Sequence, residues 1–454
     1  MMPDREAKKF HIVSLGCPKN LVDSEVMAGI LMRRGFRLTT DAREAGIIII
    51  NTCAFILPAK EEAIEAILTA ATYKKTAACH RLIVAGCLPQ RHGAELARAI
   101  PEVDLFIGTA EVPHIAEHLT GMATPRYDGP RVRTGRPDFL MHAGHPRRLM
   151  TPSYTAYLKI AEGCGNSCSY CIIPNLRGPA RSRTPEDIVA EARKLVGRGV
   201  KELILIAQDT TAYGRDLPDR PSLTGLLREL AALEELVWIR LLYSHPAKIT
   251  PELIRIPNGD PKICPYLDMP IQHIDDEILG AMNRRGNGRR IRALLEKLRA
   301  EGPDIALRTS LIVGFPGETR EQFEKTLYAV EQIGYHSIYS FVYSPRPRTK
   351  AALMDDSVPR EEKLAWLQEL QSLQARHTMA ALTAMVGRTV DVLVEGQSVR
   401  DPGENSGRTP CNKVINLPAR PGDRGRILAV TVTDTRANSL RGMPADAPAT
   451  QRGM

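Results

Sequence analysis

The chain contains three closely spaced cysteines, Cys164, Cys168 and Cys171, in the pattern Cys-x-x-x-Cys-x-x-Cys. Thiolate is the soft ligand that holds iron–sulfur clusters and structural zinc, and a closed structural site normally uses four protein ligands. Three thiolates leave one metal position open, and an open iron can bind and activate a small molecule. The motif therefore predicts chemistry at a cluster. The alternative is a zinc knuckle whose fourth ligand comes from a distant part of the sequence.

A second set of cysteines is indicated by position. Cys17, Cys53 and Cys87 each follow a short aliphatic run that the sequence pattern predicts as a strand. Helical patterns follow the first two runs, and alternating strands and helices imply a parallel sheet whose strand carboxyl ends meet at one edge. We therefore expect these thiols on one rim, where Gly16 and Gly86 would let the backbone approach a cluster closely. Alternatively, the three cysteines are small packing residues at strand ends.

The composition is that of a globular protein with ordinary hydrophobic and charged content. The chain has 454 residues, of which 43% are hydrophobic and 25% charged, and this length allows about three domains. No apolar stretch is long enough to span a bilayer, and the polar N-terminus carries no export signal. The nine cysteines fit metal ligation in a reducing compartment better than disulfides. The sequence therefore predicts a cytoplasmic location without a membrane segment.

The formal net charge of +9 raises the question of nucleic-acid binding. Part of the excess lies in one Pro/Gly-rich stretch, which carries Arg126, Arg131, Arg133, Arg136, Arg147 and Arg148. A nucleic-acid binder carries a clustered basic patch, and elsewhere in this chain the two signs of charge are interspersed. We interpret the stretch as a solvated basic linker.

The apolar pattern predicts an α/β protein with three domains. Six apolar runs with intervening helical patterns predict an incomplete (βα)6 barrel, whose active face lies at the carboxyl ends of its strands. After a long helix, two alternating runs predict a small antiparallel β-barrel. The predicted boundaries are 9–120 for the N-terminal parallel-sheet domain, 121–149 for the linker, 150–379 for the incomplete barrel, 380–442 for the β-barrel and 443–454 for a disordered tail.

The chain resembles the radical S-adenosylmethionine (SAM) methylthiotransferase family from about residue 9 to 440. The resemblance rests on the Cys164 motif with aromatic Tyr170 before its last cysteine, on the three rim cysteines, and on the Gly387-Arg388-Thr389 strand and the Gly422-Asp423 turn. Residues 14–25 (SLGCPKNLVDSE) and 207–214 (AQDTTAYG) are similar to the RimO branch of that family.

The resemblance implies an N-terminal cluster domain, a radical SAM barrel and a C-terminal TRAM domain, with two 4Fe-4S clusters and S-adenosylmethionine as cofactors. The cluster on Cys164, Cys168 and Cys171 would bind and cleave S-adenosylmethionine. The other cluster, on Cys17, Cys53 and Cys87, would hold the sulfur that the substrate radical captures. The candidate cofactor-binding residues are Tyr170, Gln208 and Asp209. No catalytic side chain is predicted, because the cofactor supplies the difficult chemistry.

The RimO branch implies a substrate and partners. It transfers a methylthio group to the β-carbon of an aspartate of small-subunit ribosomal protein twelve, with an electron donor such as flavodoxin or ferredoxin and a sulfur source that the sequence does not identify. Two alternatives stay open: the same chemistry on a tRNA adenosine, and a non-catalytic iron–sulfur protein that carries electrons or binds RNA. Cys79, Cys264 and Cys411 fall outside both cysteine sets and are predicted to be packing residues.

Overall fold

The structure is a computed structural model that describes residues 8–121, 131–302 and 304–445. Three units follow one another along the chain: an α/β unit with a parallel sheet, a larger α/β unit with a second parallel sheet, and a small closed β-barrel. The predicted fold class is therefore confirmed. No helix within these ranges is long and apolar enough to cross a membrane.

In the N-terminal unit, aliphatic and β-branched runs form a six-stranded sheet in which every neighbouring pair is parallel. The strands are β1 (Lys9–Ser14), β2 (Arg37–Leu38), β3 (Ile47–Thr52), β4 (Arg81–Gly86), β5 (Leu105–Ile107) and β6 (Val132–Arg133). The helices are α1 (Pro18–Arg33), α2 (Leu57–Thr76), α3 (Cys87–Ala99) and α4 (Ile115–Gly121). The spatial order is β2-β1-β3-β4-β5-β6, and the central strand β3 is buried throughout because helices pack on both faces.

The central unit is built on six parallel strands that neighbour one another in sequence order, as expected for an incomplete barrel. The strands are β7 (Thr155–Lys159), the short antiparallel pair β8 (Ala161–Glu162) and β9 (Arg181–Ser182), then β10 (Glu202–Ile206), β11 (Trp238–Leu241), β12 (Ile263–Asp268), β13 (Ala306–Val313) and β14 (Ser337–Val342). The helices are α5 (Ile173–Arg177), α6 (Pro185–Val196), α7 (Leu223–Ala231), α8 (Pro251–Gly259), α9 (Asp276–Ala281), α10 (Gly288–Glu301), α11 (Arg320–Ile333) and α12 (Arg360–Thr383). The parallel sheet itself consists of β7 and β10 to β14.

The C-terminal unit is a closed five-stranded barrel of β15 (Thr389–Gln397), β16 (Glu404–Arg408), β17 (Val414–Pro418), β18 (Ile427–Thr435) and β19 (Leu440–Pro444). Its strands are antiparallel except for the pair β17 and β19, which runs parallel. The predicted disordered tail from residue 443 begins too early, because Met443 and Pro444 pair with β18 and complete the barrel. Residues 446–454 of that predicted tail lie outside the described residues.

The three units share one hydrophobic core. It joins α1 of the N-terminal unit, the inner face of the central sheet and Leu393 of the barrel. The β-barrel contacts the amino-terminal ends of the central strands: Lys201, just before β10, donates to the Gly425 carbonyl at 2.8 Å, and Lys413 donates to the His336 carbonyl, just before β14, at 2.9 Å. The N-terminal unit lies at the opposite, carboxyl-terminal end, where Lys19 approaches the carbonyl of Ala207 at 3.5 Å.

In the part of the basic stretch that the structure describes, Arg131 and Arg147 differ from the expected solvated linker, and Arg126 lies outside the described residues. Arg131 donates to the Val103 carbonyl at 2.6 Å and leads into β6, so this part of the stretch belongs to the N-terminal sheet. The Arg147 side chain is 5% exposed and pairs with Glu25 at 2.6 Å and with Glu191 at 2.7 Å. The sequence could not reveal this, because the partners of Arg147 lie on α1 and α6, far away along the chain.

Candidate active site

The Cys164 loop leaves the central sheet at its carboxyl-terminal end, just after β8. Gly163 has a φ of +78°, and a Cβ there would lie 2.0 Å from the carbonyl oxygen of Pro179, so only glycine fits. The backbone N–H of Cys164 donates to the Gly178 carbonyl at 3.1 Å, and that of Ser169 donates to the Met282 carbonyl at 2.9 Å. These contacts fix the loop between the sheet and the end of α9.

The three thiols of this loop are close enough to affect one another. Burial, with a smaller effect from the neighbouring thiols of Cys168 and Cys164, raises the pKa of the Cys171 thiol to about 12. The charge of Arg346 acts in the opposite direction on Cys171. A second guanidinium lies beside the loop, where Nη1 of Arg284 is 3.9 Å from Sγ of Cys168. Nearby cations favour the thiolate, which is the form that binds metal.

The second cysteine set converges at the rim of the N-terminal sheet. Cys17 precedes α1, Cys53 follows β3, and Cys87 is the first residue of α3. Burial raises the pKa of Cys87 to about 12; Arg177 lowers it by charge and by a hydrogen bond, and the thiols of Cys17 and Cys53 raise it. A Cβ on Gly16, whose φ is +89°, would lie 2.5 Å from Cβ of Cys53. The glycine therefore permits the close approach of two ligand-bearing segments.

The donor chemistry of both sets fits a cluster better than a single metal ion. Within each set, two of the thiols raise the pKa of the third. A structural zinc site is closed by four protein ligands, whereas a cluster held by three thiolates keeps one iron open. Two separate groups of three mutually interacting thiols match the second pattern.

Tyr170, the first of the predicted cofactor-binding residues, is buried beside the radical-loop cysteines. Its hydroxyl accepts a hydrogen bond from Nη1 of Arg284 at 3.3 Å, and its ring meets Phe315 edge-on with 6.5 Å between centroids. Phe315 belongs to the turn after β13, where Glu318 accepts from the Phe315 N–H at 2.9 Å. Tyr170 thus anchors the loop through two contacts, one with a cation and one with an aromatic ring.

Gln208 and Asp209 follow β10 and point towards different partners. Nε2 of Gln208 donates to Glu162 at 2.6 Å, while its buried Oε1 has no hydrogen-bond partner among the described residues. An orphaned buried acceptor of this kind is suited to a ligand donor. Asp209 instead forms a buried ion pair with Lys248 at 2.5 Å. Gln208 thus has an acceptor free for a ligand among the described residues, whereas the carboxylate of Asp209 is engaged by Lys248, and cofactor binding by either residue stays a prediction.

The Asp209 ion pair braces the Cys164 loop. Asn166 donates from Nδ2 to Asp209 at 2.8 Å and accepts from Nζ of Lys248 at 3.0 Å. The Asn166 backbone N–H lies 3.4 Å from Sγ of Cys164 and donates to it. Although burial alone would raise it, the charge and hydrogen bond of Lys248 lower the pKa of Asp209 overall. Sequence reasoning missed Asn166 and Lys248, since no short motif joins residues from separate loops.

Buried ion pairs join α1 to the central unit. Asp23 accepts from Lys159 at 2.5 Å and from Arg177 at 2.6 Å, and Arg177 also pairs with Glu162 at 3.4 Å. Glu25 accepts from the backbone N–H of Met150 at 2.7 Å in addition to its pair with Arg147. Both carboxylates belong to the segment 14–25 that carries the branch resemblance. Its acidic residues therefore hold the two cysteine-bearing units together.

Three further polar side chains near the site have partners within the fold. His273 pairs with Glu318 at 2.9 Å in a fully buried contact, and Arg308 pairs with Asp268 at 2.7 Å. The side chain of His245 accepts from the backbone N–H of Ala247 at 3.2 Å and caps a short turn. Of the cysteines outside the two sets, Cys79 and Cys264 are buried in hydrophobic clusters and Cys411 is partly exposed against the core.

Family models match three consecutive parts of the chain. Residues 9–108 match the model described as Uncharacterized protein family UPF0004, residues 158–329 match the Radical SAM superfamily, and residues 383–444 match the TRAM domain. Together with the open parallel sheet and the cysteine loop at its carboxyl-terminal end, these matches define a radical SAM protein with a TRAM domain.

Curated relatives extend over nearly the whole chain. The ribosomal protein uS12 methylthiotransferase RimO of Syntrophus aciditrophicus is 54% identical over 86% of this chain and 86% of its own length. The protein of the same name from Pelobacter propionicus is 48% identical over 97% of this chain and 99% of its own length. The chain belongs to the family of ribosomal protein uS12 methylthiotransferases, RimO.

Solved structures share the fold at low sequence identity. The radical S-adenosylmethionine methyltransferase TsrM from Kitasatospora setae, with cobalamin and a [4Fe-4S] cluster bound, superposes with a TM-score of 0.56 and 13% identity. The superposition covers 76% of this chain and 74% of that one. Iron–sulfur and S-adenosylmethionine binding follow from the family membership, and the structural likeness concerns the fold.

Proposed function

We propose that this chain transfers a methylthio group to the β-carbon of an aspartate of small-subunit ribosomal protein uS12. The similarity to RimO proteins over 86–97% of the chain carries this proposal. The two cysteine sets support it, because both lie where the N-terminal unit meets the carboxyl-terminal end of the central sheet. Transfer between two sites requires this proximity.

We assign one 4Fe-4S cluster to Cys164, Cys168 and Cys171, and a second to Cys17, Cys53 and Cys87. When bound, a cluster with an open iron position supplies the electron that cleaves S-adenosylmethionine and starts radical chemistry at an unactivated carbon. The chain positions and shields that chemistry. Arg284 and Arg346 provide positive charge beside the radical-loop thiols, and Gln208 offers its orphaned carbonyl to a ligand.

The N-terminal unit covers the carboxyl-terminal end of the central sheet and limits access of water. Lys19 lies with Nζ 3.6 Å from the ring centre of Tyr243, which follows β11. Together with the buried pairs of Asp23, this contact places α1 over the sheet. Exclusion of water protects a reactive radical from side reactions. We infer that the enzyme works in the cytoplasm, with an electron donor of the flavodoxin or ferredoxin type and a separate source of sulfur.

Two triple variants test whether one cluster cleaves S-adenosylmethionine and the other serves methylthio transfer. Replacing Cys164, Cys168 and Cys171 by alanine should remove one cluster and all reductive cleavage of S-adenosylmethionine. Replacing Cys17, Cys53 and Cys87 by alanine should remove the other cluster and preserve cleavage, but abolish methylthio transfer. Iron content and cluster EPR after anaerobic reconstitution are the measurements. A protein that holds only one cluster before substitution contradicts the assignment.

The substrate is tested in a side-by-side assay of reconstituted enzyme with ribosomal protein uS12 and with unmodified tRNA. Mass spectrometry should find a methylthio group on the aspartate and none on the RNA. RNA binding would depend steeply on salt, because phosphate contacts release counterions. Methylthiolation of the tRNA but not of the protein would overturn the proposal. Analysis of ribosomal proteins from cells with and without the gene provides the matching measurement in vivo.

A further inference from the structure

Arg346 contacts both cysteine-bearing loops. It lies in the segment between β14 and α12, and its Nε donates to the carbonyl oxygen of Phe55 at 2.8 Å. Its Nη1 donates to the carbonyl oxygen of Tyr170 at 2.7 Å. Phe55 stands two residues after Cys53, and Tyr170 immediately precedes Cys171. One guanidinium therefore joins the backbone of a loop from the N-terminal unit to the backbone of the radical loop.

The geometry of this contact is that of a rigid link. A guanidinium is planar, and its N–H groups point in fixed directions, so two acceptors bound to one guanidinium have a defined separation. The guanidinium carbon also lies 4.3 Å from the ring centre of Phe55, which adds a cation–π contact. The loop after Cys53 is thus held at a carbonyl and at an aromatic ring.

Within the described ranges, Arg346 is held by carbonyls and an aromatic ring, and no carboxylate pairs with it. Its side chain is partly buried, and the two cations Lys60 and Arg91 lie close enough to repel it. A charge withdrawn from water without a counter-ion is unfavourable for folding. The contacts of Arg346 with the two loops are therefore not those of a stabilising ion pair.

Other contacts hold the same regions, one within the N-terminal unit and one between the two units. Arg91 of α3 donates to the Ala54 carbonyl at 3.0 Å, which fixes the Cys53 loop to its own sheet. On the other side, Thr109 donates to the Leu176 carbonyl at 2.8 Å and docks α5 against the N-terminal unit. These contacts hold the Cys53 loop to its own unit and the two units to each other. Arg346 acts on the two cysteine loops themselves.

We propose that Arg346 is a positioning residue that fixes the Cys53 loop relative to the Cys171 loop, and with it the separation of the two clusters. The proposal rests on the proposed function, because it assumes a cluster on each loop. Methylthio transfer requires the substrate carbon to meet the sulfur held on the N-terminal side. A displacement of about 1 Å at a reacting centre can lower a rate about 100-fold.

The test compares four reconstituted full-length proteins: the unmodified chain, Arg346→Lys, Arg346→Gln and the control Arg348→Gln. Lysine keeps the charge but has no planar fork, whereas glutamine has a planar amide without the charge. Arg348 is an exposed arginine of the same segment, with a φ of +69°. Phe55→Leu is a fifth protein that removes the aromatic ring and retains the carbonyl acceptor.

Three quantities are measured. The first is iron content with the EPR signal of each cluster, and the second is the magnetic interaction between the reduced clusters. The third is the ratio of methylthiolated product to 5′-deoxyadenosine. Hydrogen–deuterium exchange of residues 53–56 and 168–172 in the cluster-free protein reports loop order independently of activity.

Arg346→Lys, which keeps the positive charge beside the radical-loop thiols, should keep two clusters and cleave S-adenosylmethionine within about twofold of the unmodified chain, while the product ratio falls about tenfold or more. Arg346→Gln should show the same fall in product per 5′-deoxyadenosine, together with a lower occupancy of the radical-loop cluster because the charge that favours the thiolate is lost. Their intercluster magnetic interaction should change and exchange in both loops should rise, whereas Arg348→Gln should match the unmodified chain. Phe55→Leu should show the same changes to a smaller extent.

Unchanged magnetic interaction and product ratio in both Arg346 variants would overturn the proposal. Loss of a cluster in both would also overturn it, because Arg346 would then serve cluster binding. If Arg346→Lys alone retained the full product ratio and magnetic interaction, the effect would be due to the positive charge, and a role of the planar guanidinium would be rejected. If the unmodified chain holds two clusters but forms no methylthiolated product, the proposed function fails, while changed magnetic interaction and loop exchange in the variants still support the positioning role.

Discussion

At the scale of single residues, Gly16 shows why a backbone position next to a cysteine admits no side chain. Its φ is +89°, and a Cβ would meet Cβ of Cys53 at 2.5 Å. Gly35 has a similar φ of +86° with nothing within 4 Å of its Cβ position. Comparing substitutions at the two glycines therefore distinguishes the effect of conformational strain from that of steric overlap. Strain alone is about 1–2 kcal/mol for a non-glycine residue.

We predict that Gly16→Ala displaces the Cys53 thiol and lowers the occupancy of the N-terminal cluster, whereas Gly35→Ala leaves it unchanged. Iron content and cluster EPR after reconstitution are the measurements. Reductive cleavage of S-adenosylmethionine should persist in both variants, because the Cys164 loop is not touched. Equal cluster occupancy in the two variants would show that the overlap with Cys53 is relieved without displacing the thiol.

Loss of Lys248 leaves the buried carboxylate of Asp209 without its cationic partner. We predict that Lys248→Met destabilises the cluster-free protein by about 3 kcal/mol, because breaking one side of a buried ion pair leaves the other charge uncompensated. The double variant Asp209→Asn, Lys248→Met should recover most of that loss. Denaturant unfolding measures the free energies, and the rate of iron loss to a chelator measures the effect on the Cys164 loop.

The exposed pair of Arg320 and Glu369 provides the control for Lys248. Its nitrogen–oxygen distance is 2.7 Å and both side chains are more than a third exposed, so Arg320→Gln should change the free energy of unfolding by less than about 1 kcal/mol. A similar small effect of Lys248→Met would contradict the buried-pair interpretation.

At the scale of elements, α1 carries both a cysteine at its start and the carboxylates that attach it to the central unit. Asp23 accepts from Lys159 and Arg177, which lie on β7 and α5. Asp23→Asn removes one of the two carboxylates that balance these cations, since Glu162 also pairs with both. We predict a loss of about 3 kcal/mol of unfolding free energy in the cluster-free protein, measured by denaturant unfolding. Glu44→Gln, which removes the exposed pair with Lys9 at 3.0 Å, is the matched control and should have little effect.

The buried ion pairs of Glu191, on α6, predict that the stability of the protein depends on pH. Burial raises the pKa of Glu191, but Arg147 and Arg183 outweigh it and lower the pKa overall below the usual 4.5. A carboxylate with a lowered folded-state pKa contributes stability above its unfolded pKa and loses that contribution as the pH falls through the folded pKa. We predict that the unfolding free energy decreases as the pH falls below about 4.5, and that Glu191→Gln is less stable at neutral pH with a shallower acid decrease. Identical pH profiles of the two proteins would contradict this assignment.

At the scale of the whole molecule, the β-barrel is a structural cap of the central unit. Arg240 is buried, pairs with Glu202 at 2.7 Å and donates to the Pro410 carbonyl of the barrel at 2.6 Å. The Tyr154 hydroxyl donates to the Glu395 carbonyl. These contacts lie at the amino-terminal ends of the central strands, whereas the cysteine loops lie at the carboxyl-terminal ends. A role of the barrel in docking the ribosomal protein therefore concerns a surface distant from the cysteines.

We predict that deletion of residues 384–445 lowers the unfolding free energy by on the order of 3 kcal/mol, because Arg240 loses charged hydrogen bonds to the barrel. Reductive cleavage of S-adenosylmethionine should decrease together with the unfolding temperature. Charge reversal by Arg388→Glu, at an exposed position on the barrel, should leave the unfolding temperature unchanged. A deletion variant with unchanged unfolding temperature and full cofactor cleavage would show that the barrel serves docking alone.

The elements that carry the cysteines were predictable because their signals are local. The runs that became β1, β3 and β4 are aliphatic and end at the cysteines, and a parallel sheet must bring such ends to one edge. The starts of two helices carry local signals as well: Pro185 follows Thr184, and Gln322 stands three residues after Thr319. In the structure both threonines cap their helices, and each accepts a backbone N–H bond.

Only the tertiary structure decided which distant side chains serve the site. Arg346, Lys248 and Arg177 come from separate segments, and their partners are fixed by how the units pack, which no short pattern encodes. The last strand, β19, was missed because Arg441 and Gly442 interrupt its apolar alternation, and pairing with β18 makes the segment a strand. Residue spacing and periodicity were therefore sufficient to predict the two sets of candidate thiols and the sheets that carry them. Long-range packing determined the charges and hydrogen bonds around those thiols, because such contacts form only when remote segments meet.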